Sequence, residues 1–168
     1  MDFSDATARF TILAFSGLLI AAAASDWRNY TVPNRYSLAL VALFPSYVVA
    51  SGGNVDWLGA LMYAGIAFVA GFLFFLARVC GGGDVKLFVA VTLWAGPALF
   101  VPMAFYTSVA GGILAAGMWV NHKFNRSTVP AHLVFSSQEA SFGKQPMPYA
   151  VPIAVGGLFV ALQLLKGI

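Results

Sequence analysis

Charged side chains divide this chain into five long uncharged stretches, and these stretches determine its predicted elements. A helix that crosses a bilayer needs about 20 mostly apolar residues, with a range of roughly 17–25. Four of the five stretches are close to that length. The remaining one, Leu87–His122, is far too long for a single crossing. The stretches are Phe10–Ser25, Tyr36–Val55, Trp57–Ala77, Leu87–His122 and Gln145–Leu165.

The longest stretch is predicted to form two helices. Gly96 and Pro97 interrupt it and Pro102 follows shortly after, and proline ends or kinks a helix. We expect one helix from Leu87 to about Phe100 and another from Met103 to about Asn121. The sequence therefore predicts an all-α polytopic membrane protein with six transmembrane helices.

The basic residues orient these helices, because cytoplasmic loops are enriched in Lys and Arg. Seven of the nine basic residues fall in alternate connections between the spans: Arg28, Arg35, Arg78, Lys86, Lys123, Arg126 and Lys144. Arg9 and Lys166 lie on the other side. This distribution predicts cytoplasmic connections at the charged positions, including a polar loop over about Asn121–Gln145, and both termini outside, in the periplasm.

Composition supports the membrane class and excludes several others. Hydrophobic residues make up 60% of the 168 residues and charged residues only 9%, whereas a soluble domain carries about 25% charged residues. The net charge of +3 forms no basic stripe, so no nucleic-acid partner is expected. A single cysteine, Cys80, excludes an internal disulfide and a cysteine-based zinc site. One membrane-embedded domain over residues 1–168 is expected.

Two of the six acidic residues stand apart. Asp26 directly follows the first apolar stretch, and Asp84 lies between three glycines, Gly81, Gly82 and Gly83, and the next span. An acid at membrane depth costs about 2.5–3.5 kcal/mol on insertion scales and indicates a functional site. The other four acids fit solvated ends and loops: Asp2, Asp5, Asp56 and Glu139.

Simpler interpretations stay open at this point. Asp84 could be a helix N-cap, Asp26 could pair with Arg28 in a loop, and the glycines could form a plain turn. Other catalytic sets are poorly represented, since the sequence has no HExxH metal motif and no phosphate-binding glycine loop with Lys-Ser or Lys-Thr. The chain therefore offers the aspartate pair as its main candidate chemistry.

The segments around Asp26 and Asp84 resemble motifs of a known protein family. The run Gly81–Leu87 matches the GxGDxKL motif of type IV prepilin peptidases, which are membrane aspartyl proteases. The run Asp26–Asn34 resembles their first catalytic segment, in which an Asp is followed by a β-branched residue, Pro and Asn. Met147–Pro152 is similar to the start of their last span. The resemblance covers roughly residues 10–165 in order and spacing.

One difference from the full-length members of this family indicates which branch the chain resembles. Full-length members carry an N-terminal cytoplasmic domain with paired CxxC motifs, linked to N-methylation, and here Cys80 stands alone. The chain is thus similar to the short, peptidase-only branch that serves Flp/Tad-type pili (the CpaA or TadV type), without a methyltransferase domain. Archaeal preflagellin peptidases, which share the aspartyl pair, are the second interpretation.

The resemblance implies an aspartic endopeptidase in the bacterial inner membrane, with its active site facing the cytoplasm. Asp26 and Asp84 would be its catalytic residues, and Gly81, Gly82, Gly83, Pro33, Asn34 and Lys86 would position the loops or the substrate. Its partners would be the lipid bilayer and a prepilin or pseudopilin, cut after a Gly that follows a basic leader. No metal or organic cofactor is implied. Lys86 is also explained as an interfacial lysine whose chain reaches toward water.

Helix dipoles predict different roles for the two acids. If Asp26 ends the first helix, the dipole there disfavours an anion, whereas Asp84 at a helix start is favoured as the anion. On this basis Asp84 is expected to act as the base and Asp26 as the acid. A different class also remains open, because a small proton-coupled transporter could use the same acid pair.

Overall fold

The computed structural model of this chain describes residues 3–126 and 147–167, and these are all-helical. Three of the helices are long and apolar enough to cross a membrane, over Asp5–Asn29, Trp57–Leu76 and Gly82–Asn121. The protein is therefore an integral membrane protein, as predicted. The five helices are α1 (Phe3–Asn29), α2 (Asn34–Ala50), α3 (Trp57–Leu76), α4 (Gly82–Arg126) and α5 (Ala150–Lys166).

The chain reverses direction inside α4, at Gly96. This glycine has φ 58° and ψ −170° and is the non-helical residue within α4, a backbone conformation that is essentially restricted to glycine. Before it, α4 runs antiparallel to α3, with Val85 against Gly71 near one end and Pro97 against Gly59 near the other. After it, α4 runs back beside α5, with Met103 against Gly156. α4 thus consists of two antiparallel segments, 82–95 and 97–126.

Several predicted boundaries are wrong. The break in the longest stretch lies at Gly96 and not between residues 100 and 103, and the two segments count as one helix, so five helices are found where six were expected. α1 extends past Ser25 to Asn29. α4 continues to Arg126, into the region predicted as a polar loop. The rest of that loop, with Glu139 and Lys144, lies outside the described residues.

α5 packs at the centre of the described bundle, between α1 and α4. A Cβ at Gly157 would touch the Leu19 and Val91 side chains, and one at Gly156 would press on the Met103 carbonyl oxygen at 2.8 Å. Small residues let membrane helices approach closely. These two glycines therefore hold α5 against both neighbours along its length.

An aromatic cluster joins α1, α2 and the first segment of α4. The Trp94 ring lies 4.4 Å from Phe15, 5.8 Å from Phe44 and 5.3 Å from Tyr47, centroid to centroid. The Trp94 indole N–H donates to the Leu40 carbonyl oxygen at 3.0 Å, so its polar group is satisfied inside the apolar core. This cluster fixes α4 relative to α1 and α2.

The two ends of the bundle differ in what they bring together. At one end, the start of α1, the α2–α3 connection and the end of α5 surround a cavity of about 440 Å³ that includes Asp5, Gly52 and Gly167. At the other end lie the end of α1 with Asp26 and the start of α5 with Ala150, which are in direct contact. Asp84, at the start of α4, belongs to this second end.

Candidate active site

Asp26 is a buried acid one turn before the end of α1. Its side chain is only 3% exposed, and its Oδ2 accepts a hydrogen bond from the Ala150 backbone N–H at 2.8 Å. Ala150 is the first residue of α5. Asp26 therefore faces the positive end of another helix, and its position at the end of α1 alone does not determine its charge preference.

Asp84 lies in the first turn of α4. It is half-buried, and its carboxylate turns back toward Gly81, whose backbone amide it faces. The charges of Asp84 and Asp26 act on one another. The two acids, which are far apart in sequence, thus lie near enough for their charges to interact.

The segment that connects α1 to α2 packs on the start of α4. A Cβ at Gly83 would lie 3.1 Å from the Val32 carbonyl oxygen, tighter than ordinary contacts. Pro33 precedes the first residue of α2 in an extended conformation, φ −59° and ψ 137°. Lys86 Nζ donates to Asn34 Oδ1 at 3.1 Å across the same junction. Gly83, Lys86 and Asn34 therefore join the segment after Asp26 to the helix of Asp84.

The three glycines before Asp84 differ in how much space a side chain would find. The glycines with positive φ in the described chain are Gly52, Gly53 and Gly96, so Gly81 to Gly83 need no left-handed backbone. A Cβ at Gly82 would meet only the Phe75 ring, at 3.4 Å. Gly83 is the position where a close backbone approach requires glycine.

A left-handed residue that is not glycine follows each of the two helices that end near the site. Tyr30, with φ 51°, follows α1, and Arg78, with φ 58°, follows α3. At Arg78, hydrogen bonds from Arg78 N to Phe75 O and from Val79 N to Phe74 O, both 3.0 Å, form a Schellman motif. This motif usually places glycine at the left-handed position, so the backbone beside the site is strained.

An apolar cavity of about 300 Å³ opens beside Asp84. α3, both segments of α4 and the start of α5 form its walls. Apart from Asp84, the groups that could contact a ligand polar atom include Thr107, Ser108, Tyr149 and Cys80. The cavity has room for a few apolar side chains next to Asp84.

A second cleft, of about 480 Å³ and mixed polarity, lies at the end of α1. Trp27, Tyr30, Asn121 and Pro148 are among its lining residues. Because Tyr149 lines the apolar cavity and Pro148 the cleft, the start of α5 separates the two. Asp84 lines the apolar cavity, whereas Asp26 is buried and lines neither of the two.

The arrangement suits acid–base chemistry by two carboxyl groups. Close carboxyls cannot both ionise readily, so one holds a proton and the other can accept one. Among the described residues, no three His, Cys, Asp or Glu side chains are grouped to hold a metal ion.

Comparison with known proteins agrees with this chemistry. Residues 13–116, more than half of the chain and including both Asp26 and Asp84, match the type IV leader peptidase family. This chain belongs to that family. The membership confirms the predicted class of enzyme, a peptidase and thus a hydrolase.

A curated relative supports the same family. The chain is 24% identical over 157 residues to the prepilin leader peptidase/N-methyltransferase of Bacillus subtilis (strain 168). The alignment covers 91% of this chain and 55% of that protein, so the chain spans about half the length of its relative. No solved structure gives a significant match.

Sequence reasoning missed the contribution of α5 to the site. The prolines at 148 and 152 mark a helix start in the sequence, and this was the available signal. Nothing in the sequence indicates that the Ala150 amide reaches a carboxylate 124 positions away. Tyr149 and Thr107, which line the cavity, were likewise missed.

Proposed function

We propose that this protein is a prepilin leader peptidase that uses Asp26 and Asp84 to activate water. The observation that carries the proposal is the position of the two acids, on α1 and α4, near enough for their charges to interact, with an apolar cavity beside Asp84. Family membership supports the reaction class. The relative's printed name supports a prepilin as the substrate.

In the proposed reaction, the two carboxyls share one proton. The ionised carboxyl takes a proton from water, which attacks the scissile carbonyl carbon, and the protonated carboxyl stabilises the developing oxyanion. The C–N bond then breaks as the leaving amine receives a proton. No cofactor is needed for these steps.

The two surfaces beside the acids support the substrate class. Apolar side chains of a helical substrate segment would enter the cavity on the Asp84 side, where their burial favours binding. A polar leader fits the mixed cleft on the Asp26 side, where the exposed Trp27 and Tyr30 rings can hold basic side chains. The scissile bond would then lie between them, at the carboxyl pair.

The proposed topology has six membrane passes. The antiparallel segments of α4 support two passes there, although α2 and α5 are shorter than a typical span. The distribution of Lys and Arg supports a cytoplasmic site and periplasmic termini. We propose the Flp/Tad branch for this chain on the resemblance of its motifs.

Cleavage of a co-expressed substrate tests the proposal. Flp-type prepilins are expressed with this chain in cells that lack their own prepilin peptidase, and the products are followed by mobility and mass spectrometry. We expect a shorter pilin that begins directly after a Gly at the leader junction. Failure to cut several prepilins at normal protein levels would overturn the proposal, and a proton-flux assay would then examine the transporter alternative.

A further inference from the structure

The hydrogen bond between Ala150 and Asp26 favours one charge state of the Asp26 carboxyl. A backbone N–H can only donate, so Asp26 Oδ2 is the acceptor in this 2.8 Å contact. Hydrogen bonds to a charged acceptor are stronger than those to a neutral one. The contact is also made at the start of a 17-residue helix, where the dipole favours an anion.

The charged groups near Asp26 do not favour its ionised form, so the hydrogen bond from Ala150 is the contact that does. Asp84, on α4, is the acid whose charge acts together with that of Asp26. α5 has no acidic residue in its first turn, while Arg28 on α1 and Arg35 on α2 are exposed. Burial disfavours the charge of both acids, but Asp26 accepts the 2.8 Å hydrogen bond from Ala150, whereas Asp84 only turns back toward the Gly81 amide. Of the two, Asp26 is the better-supported anion.

We propose that the Ala150 amide is a positioning group that keeps Asp26 ionised, so that Asp26 is the base and Asp84 the acid. This assignment rests on the proposed function and reverses the roles expected from the dipoles of α1 and α4 alone. Ala150 acts through Asp26 and touches no substrate atom in this account.

The proton balance of the step is closed. Water forms the new C–O bond and gives one proton to Asp26, while Asp84 gives its proton to the carbonyl oxygen. When the C–N bond breaks, the amine nitrogen takes the proton from Asp26, and one hydroxyl of the intermediate returns a proton to Asp84. Both carboxyls finish as they began.

An amide-to-ester replacement tests the role of Ala150 directly. Incorporating the hydroxy-acid analogue of alanine at position 150 replaces the N–H with oxygen and leaves the side chain unchanged. The same replacement at Val151 is the matched control, because its N–H donates to the Pro148 carbonyl at 3.2 Å and not to Asp26.

Cleavage kinetics in vesicles give the first readout. The ester at position 150 is expected to move the acid side of the kcat profile up by about one pH unit, so that kcat falls about tenfold on this acid side and little on the plateau, with little change in KM. The ester at 151 should leave that profile in place. An equal fall of kcat at every pH with the 150 ester would overturn the assignment, because a merely structural contact has that effect.

Infrared titration of the substrate-free protein gives an independent readout. The carboxyl band that disappears in Asp26→Asn should protonate at higher pH in the 150 ester than in the unmodified protein, and an unmoved band would overturn the proposal. If the chain cleaves no prepilin, the proposed function fails, whereas this band still decides whether Ala150 holds Asp26 ionised.

Discussion

Lys86 and Asn34 are joined by a hydrogen bond of 3.1 Å between the start of α4 and the start of α2. Lys86 lies two residues after Asp84, and Asn34 closes the segment that follows Asp26. The bond therefore connects the helix that carries Asp84 to the segment that follows Asp26, although the Lys86 and Asn34 side chains are exposed.

Removing this bond should weaken activity without abolishing it. Lys86→Met and Asn34→Ala are each expected to lower kcat/KM about 2- to 10-fold, because an exposed hydrogen bond contributes roughly 0.5–1.5 kcal/mol. The double variant should lose little more than either single variant, since both remove the same contact. Fully additive losses in initial-rate measurements would show that the two residues act separately.

Gly83 is expected to tolerate no side chain, unlike its neighbour Gly82. An alanine Cβ at position 83 would lie 3.1 Å from the Val32 carbonyl oxygen, which is backbone and cannot turn away. Gly83→Ala should therefore separate the supports of the two acids and lower cleavage about tenfold, consistent with overpacking costs of about 1–3 kcal/mol.

The control is Gly82→Ala, whose Cβ would meet only the exposed Phe75 ring at 3.4 Å. This variant should cleave within about twofold of the unmodified protein, because a flexible side chain can move. Equal activity of the two alanine variants would refute the close-approach role of Gly83.

The reversal inside α4 should depend on the glycine at position 96. Gly96→Ala forces φ 58° and ψ −170° on a residue with a Cβ, which costs about 1–3 kcal/mol. Thermal unfolding in detergent is expected to show a lower midpoint for this variant. Gly112→Ala is the control, because nothing lies within 4 Å of its Cβ position, and helix propensity should stabilise it by about 0.5–1 kcal/mol. An unchanged midpoint for Gly96→Ala would contradict the strain argument.

Cys80, the single cysteine of the chain, reports on the charge of Asp84. Burial raises the pKa of the Cys80 thiol above its ordinary value of 9.0, and the nearby Asp84 charge raises this pKa further. Because the thiolate is the reactive form, a raised pKa means slow maleimide labelling at neutral pH. The labelling rate should climb about tenfold per pH unit between roughly pH 7 and 9.

Asp84→Asn should speed this labelling at a fixed pH of about 8, because at this alkaline pH the Asp84 carboxyl has also lost its proton and its negative charge disfavours the thiolate. Asp56→Asn, which changes an acid far from Cys80 at the start of α3, should leave the rate unchanged. Equal rates in the protein and in Asp84→Asn would show that the Asp84 charge does not reach the thiol.

The sequence predicts the membrane class and singles out two acids as candidates, for physical reasons that act locally. Charge is so rare in this chain that Asp26 and Asp84 stand out without any structure, and Gly81 to Gly83 mark the approach to Asp84. Whether these residues are catalytic remains a prediction that cleavage assays must test.

The parts that could not be predicted depend on contacts between distant segments. Packing between helices extends α1 to Asn29 and places the start of α5 against the buried Asp26. The dipoles of α1 and α4 alone therefore could not show which acid is the base. The reversal at Gly96 was located only approximately, because Pro97 and Pro102 are both possible breakpoints and helical packing on α3 and α5 selects the first.

The most direct test of the account is whether Asp26 and Asp84 act as one unit. Purified protein in vesicles is given a Flp-type prepilin, and cleavage is compared among the unmodified chain, Asp26→Asn, Asp84→Asn and the double variant, with Asp56→Asn as the control. Asp56 only caps α3, by accepting from the Gly59 N–H at 2.8 Å, and asparagine also caps helices.

The account predicts that each of the two site variants loses about 10²–10⁴-fold or more in rate. It also predicts that the double variant loses no more than the single ones, because groups that act as a unit are not additive. Asp56→Asn should cleave normally. Substantial cleavage by a well-folded Asp26→Asn or Asp84→Asn protein would contradict the central claim.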